Sequence, residues 1–127
     1  MSATGILQAA TTIAKTVQTA VGAEIGTENA MYITLFFSYV KGNETGLDII
    51  LNARNTTGGA NHQNRIWTPT SGAEAGDVEK IRVTASGDYF FTWLIKGIDF
   101  VQFTAGGSNN DGTPTGTLAA SYTLTGV

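Results

Sequence analysis

One histidine, ten acidic side chains and no cysteine bound the chemistry available to this chain. His62 stands in Ala60-Asn61-His62-Gln63-Asn64, and a Ser-His-Asp relay would need it packed beside a serine and a carboxylate. Nothing in the spacing provides that, so it reads as an exposed loop histidine. Zinc asks for three or four nitrogen, sulfur or oxygen ligands, and one histidine with scattered carboxylates does not supply them. Asn109-Asn110-Asp111-Gly112 has the oxygens and glycine that open a calcium loop but lacks the glutamate that closes one, and it reads as a turn. Glu24 with Glu28, and Glu74 with Asp77 and Glu79, are the nearest approach to the paired carboxylates of glycoside hydrolysis. They fall in turns, where charge is simply hydrated. Gly58-Gly59 and Gly106-Gly107 are followed by neither a helix pattern nor a lysine and are not phosphate cradles. Asn43-Glu44-Thr45 and Asn55-Thr56-Thr57 fit the glycosylation triplet, yet the N-terminus has no basic region followed by an apolar core, so no secretory signal is expected. The expectation is no catalytic residue, no metal and no cofactor.

The aromatic residues offer recognition rather than reaction. Trp93 shares a strand face with Tyr89, Phe91 and Ile95 and is expected in the core. Trp67 differs: it lies in the long irregular stretch Arg54 to Asp77, beside Arg65 and Pro69. Tryptophan and arginine are enriched at the centres of protein interfaces, and long loops in compact domains often carry function. Arg65 and Trp67 are therefore candidate partner-binding residues, with Trp67 closing the end of the fold as the alternative.

These side chains would be held by strands. Met31 to Ala53 organises the chain: Met31, Ile33, Leu35, Phe37 and Tyr39 fall on one face and Tyr32, Thr34, Phe36, Ser38 and Val40 on the other, since strand side chains alternate. Leu47, Ile49, Leu51 and Ala53 repeat the pattern against Asp48, Ile50 and Asn52, which predicts a core on one side only. Between the two, Lys41 to Gly46 holds two glycines and an asparagine, which suit positive φ, and predicts a hairpin. The segment from Ile6 to Val21 fits a helix face or a strand face, and its threonines favour the strand. Met1 to Gly5 is expected to fray. Ile81, Val83 and Ala85 mark a half-exposed strand, and Tyr89 to Lys96 a second aromatic one. Phe100 to Ala105 is a strand whose inward face, Phe100 or Val101 with Phe103, stays open. Ala105 to Gly116 reads as loop, and Leu118, Ala120, Tyr122 and Leu124 mark a closing strand. The whole predicts an all-β antiparallel sandwich, jelly-roll-like, of seven or eight strands. Residues 1–29 form an N-terminal extended segment partly joining the sheet, and residues 30–127 form the sandwich domain.

Composition agrees. The 127 residues include 16 glycines, 2 prolines and only 13% charged residues, well under the usual quarter. Net charge of −3 gives no basic footprint for nucleic acid, and no apolar run approaches a membrane span. A surface this poor in charge suits a protein surrounded by other protein, or equally a sandwich coated in Thr, Ser and Asn.

Tyr39-Val40-Lys41-Gly42-Asn43-Glu44-Thr45-Gly46-Leu47-Asp48-Ile49 resembles a pattern of small virion proteins of tailed bacteriophages, in which an aromatic strand runs into Lys-Gly-Asn/Asp-Glu-Thr and a second strand. Lys96-Gly97-Ile98-Asp99-Phe100-Val101-Gln102, followed by a Gly-rich loop and a terminal strand bearing Thr and Tyr, is similar to their closing part. The resemblance spans about Ala30 to Val127 and its motifs are structural. It implies a β-sandwich head decoration (cement) protein on the capsid surface, with the major capsid protein as partner and a homotrimer as the working form. It carries over no catalytic residue. The alternative is a carbohydrate- or receptor-binding module of a tail fibre or surface adhesin.

Overall fold

Alternation of apolar and polar side chains sets the architecture. In the computed structural model, which describes residues 2–15, 19–66, 77–108 and 112–126, strand β4 (Tyr32–Val40) buries Ile33, Leu35, Phe37 and Tyr39 and turns the intervening side chains outward. On one flank β10 (Gly87–Leu94) pairs with it, setting Tyr89 opposite Phe37 and Phe90 opposite Phe36. On the other flank lies β12 (Thr117–Thr125), with Leu118 opposite Tyr39 and Leu124 opposite Ile33. Beyond β12, β1 (Ser2–Thr12) forms the edge, giving the order β1-β12-β4-β10. We call this layer the front sheet.

The back sheet is built on β5 (Gly46–Arg54) paired with β11 (Phe100–Ser108). Short segments flank that pair: β2 (Thr19–Ala20) and β3 (Ile25–Gly26) along β11, and β6 (His62–Gln63) and β9 (Ile81–Val83) along β5. A two-stranded ribbon, β7 (Arg65–Ile66) with β8 (Asp77–Val78), stands apart. Every pairing among the described residues is antiparallel. Between the layers the Phe37 ring stacks on Tyr89 at 5.3 Å, and Phe103 of the back sheet meets Trp93 of the front at 5.4 Å between centroids. Fully buried aromatic and aliphatic side chains each stabilise the sandwich by about 1.5–3 kcal/mol, and this shared core joins the sheets.

The all-β sandwich class is as expected, although among the described residues twelve strand segments replace the seven or eight foreseen, because several edge pairings span only two or three residues. The expected hairpin is not formed: β4 belongs to the front sheet and β5 to the back, so Lys41 to Thr45 arches from one layer to the other. Neither Gly42 nor Gly46 takes positive φ. Their lack of a side chain serves close packing instead, since a Cβ on Gly42 would run into Thr115 and one on Gly46 into the Val83 carbonyl. The inward face left open for β11 is that of Val101, Phe103 and Ala105.

Three further expectations are corrected. The β5 face carrying Asp48, Ile50 and Asn52 is buried, as are Gln102 and Thr104 beside it on β11, so the back sheet is covered on both sides. Most of those polar atoms find partners, as buried ones generally do: Asn52 Nδ2 donates to Gln102 O at 2.9 Å and to Thr104 Oγ1 at 3.0 Å, while Asn52 Oδ1 accepts from none. Ala105 to Ser108, read as loop, completes β11 opposite Gly46 to Ile49. Glycine marks a strand where another backbone comes close, and the Gly107 N–H donates to Ala14 O at 2.8 Å. The N-terminus does not fray at Ser2 to Gly5, which pair with Tyr122 to Thr125.

Candidate functional site

The residues singled out for chemistry do not converge. His62 is exposed on β6 opposite Ala53. Glu24 receives the Gly58 N–H at 2.9 Å and Arg54 Nη1 at 3.0 Å, which hold its carboxyl below the usual range. Glu79 accepts from Asn64 Nδ2 at 2.9 Å. Asp48 takes a two-pronged grip from Arg82, at 2.6 and 2.9 Å. Among the described residues no three His, Cys, Asp or Glu side chains gather to hold a metal. Arg65 is exposed on β7 opposite Val78, while Trp67, Glu74 and Asn109 to Asp111 lie outside the described residues.

Among the described residues the most perturbed carboxylate is one the sequence reading passed over. Glu44, in the arch from β4 to β5, is almost completely buried. The Tyr39 hydroxyl and the Gly42 N–H, at 2.9 Å, bond its Oε2, and the Gly116 N–H bonds Oε1 at 3.0 Å. Burial pushes this carboxyl up, but the Tyr39 and backbone donors together outweigh it and hold the pKa at about 2. The Tyr39 phenol is pushed up, by burial first and by Glu44 second, so it stays a donor. Next to it Asn43 Nδ2 donates to Thr113 O and its Oδ1 accepts from the Thr115 N–H, both at 3.1 Å. The Asn43-Glu44-Thr45 triplet thus fastens the arch to the entry of β12. This is structural chemistry: an ionised carboxylate with its oxygens occupied by donors cannot accept a substrate proton.

What the molecule does present is an apolar front. The outward face of the front sheet exposes Ile6, Tyr32, Phe36, Val40, Phe90 and Leu94. The register lines up Ile6, Ser121, Phe36 and Phe90 from one edge of the sheet to the other, and the two phenylalanine rings lie 6.0 Å apart. The next row is Thr4, Thr123, Thr34 and Thr92, with a 2.8 Å hydroxyl contact between Thr34 and Thr92. Between Ile6 and the phenylalanines the small side chains Ala119 and Ser121 leave a shallow trough of about 430 Å³. Ile6 faces out while its neighbour Leu7 packs on the core, and the register of β1 against β12 shifts just after Ile6.

The sequence did carry a signal for this face. Neighbouring strand residues point to opposite sides, so the doublets Phe36-Phe37 and Phe90-Phe91 place one ring of each pair outside a one-sided sheet. A second concavity, of about 580 Å³, opens between the layers, floored by Leu51, Trp93 and Ile98 and rimmed by His62, Asn64 and Glu79. Trp93 is half-buried there and packs on the core, in keeping with its expected place.

No family model and no curated protein matches the chain. Among solved structures, the SPBc2 prophage-derived protein YomS is similar in fold, with a TM-score of 0.59 at 15% identity over 98% of this chain and 92% of that one. A protein of Bacillus endospore appendages, disulfide-linked pili, aligns with a TM-score of 0.49 at 15% identity, over 98% of this chain and 87% of that one.

Proposed function

We propose that this chain is a non-enzymatic structural component of a bacteriophage particle, a head decoration protein that binds the major capsid protein on the capsid surface and works as a homotrimer. The observation that carries the reading is the exposed, nearly uncharged front-sheet face, on a molecule whose Glu44 and Asp48 carboxylates are spent on internal contacts. Apolar patches of this size mark surfaces made to be covered. The resemblance around Tyr39 to Ile49 and a fold like that of a prophage-derived protein support the phage origin. Its mechanism is adhesion, in which weak contacts repeated by symmetry give an avidity that no single contact provides. Arg65, exposed on its ribbon, and Trp67 after it are the residues proposed to meet the capsid.

The test is co-sedimentation with purified expanded heads. Wild type should pellet with heads, and Trp67→Ala should do so at least tenfold more weakly while melting at the same temperature. Undiminished binding by the variant removes Trp67 as anchor, and no binding by wild type removes the decoration role. The second reading, a carbohydrate-binding module, is favoured by the concavity in which the Trp93 ring lies among His62, Asn64 and Glu79, because saccharides are held by an aromatic floor with a polar rim. Binding on a glycan array without head binding would select it.

A further inference from the structure

We infer that copies of this chain associate through the outward face of the front sheet, the Phe36–Phe90 ridge of one copy seating in the Ala119–Ser121 trough of the next. The inference rests on the assembly reading above and names the first partner of that face as a second copy of the same chain. Three features point to that occupant.

Area is the first. Ile6 is 86% exposed, Phe90 66%, Leu94 64% and Val40 61%, with Phe36 and Tyr32 near half. Taking aromatic side chains at about 200 Å² and aliphatic ones somewhat less, these six alone expose about 600 Å². With the threonines and serines between them the face approaches the roughly 800 Å² per partner that a stable interface buries. Charge is the second. β1, β4 and β12 contain no Asp, Glu, Lys, Arg or His, and the one such side chain in β10, Asp88, accepts a 2.6 Å hydrogen bond from Ser38. A basic, acidic or nucleic-acid partner would find almost nothing to pair with, whereas an identical copy meets Asp88 as the one full charge on these four strands although the whole chain carries −3.

Self-complementarity is the third. The row beside the phenylalanines is all threonine, and a hydroxyl both donates and accepts, so such a row satisfies a copy of itself. Ridge and trough adjoin on one face: the ridge stands on β4 and β10, and the trough that its rings border crosses β12 to Ile6 and reaches Ser38 and Asp88. A head-to-tail contact of this kind makes rings when the rotation closes, and three copies around one axis give the trimer.

The test is sedimentation equilibrium of the intact chain across micromolar concentrations. Phe90→Ser would remove the ridge and Ser121→Arg would block the trough, each at an outward position that leaves the core untouched; His62→Ser on the back sheet is the control. Wild type and the control are expected at the mass of three chains, and both front-face variants at the mass of one with the wild-type far-UV spectrum. A wild type of single-chain mass, or an oligomer that survives both substitutions, overturns the inference. The head-binding assay fails independently: a trimer that ignores heads sinks the decoration reading alone, and a monomer that binds heads sinks this inference and the homotrimer while leaving capsid binding standing.

Discussion

Replacing Glu44 by glutamine removes the charge of the buried carboxylate and keeps its volume. The folded chain holds this group at about 2 against an ordinary 4.5. A folded value below the unfolded one means stability that is complete above about pH 4.5 and is lost as pH falls towards about 2. A gap of that width corresponds to roughly 3 kcal/mol at neutral pH. Glutamine offers one acceptor oxygen where the carboxylate offers two, so its amide NH₂ must face either Gly116 N–H or the pair Tyr39 and Gly42. A buried donor left facing a donor costs about 1–3 kcal/mol, in line with the first figure. Urea unfolding of wild type and Glu44→Gln, followed by circular dichroism, should therefore differ by about 3 kcal/mol at pH 7. At pH 3 the unfolded wild type binds a proton that the folded form still refuses, and the difference should shrink by about 2 kcal/mol. The other carboxylates titrate alike in both proteins and cancel. A difference equal at the two pH values would refute the assignment of an ionised Glu44 as the fastener of the arch.

Phe103→Ala should cost about 3–5 kcal/mol, since the ring is wholly buried. It should also shift the fluorescence of Trp93, which the ring contacts across the layers; an unchanged spectrum with full stability would deny that contact. Arg82→Ala leaves Asp48, whose side chain is 6% exposed, without its two-pronged partner, and denaturant titration should register a loss of about 1–3 kcal/mol. Arg82→Lys should recover only part of it, because an ammonium cannot make the paired contact; complete rescue would reduce the interaction to a simple charge.

Inward faces were legible for β4, β10 and β12 because each alternates cleanly beside residues that end a strand. The arch was misread since Gly42 and Gly46 suit a turn as well as a tight packing contact, and only Thr115 and Val83, distant in sequence, distinguish the two. Glu44 was passed over for the same reason: its Gly116 donor lies 72 positions away. Asp48 and Asn52 were taken as solvent-facing because polarity usually means exposure, and burial became tolerable only where Arg82, Thr104 and the Gln102 carbonyl supplied partners.

Side-chain direction along a strand follows from covalent geometry, so the order of residues alone settled that this chain would be β-structured, one-sided over much of its length and bound to show an outward ring at each Phe-Phe doublet. Which strands became neighbours, which sheet each joined, and that Ile6, Phe36 and Phe90 fell into one row came only with the folded molecule. Those outcomes depend on contacts between segments far apart in the chain, whose free energies no local pattern records.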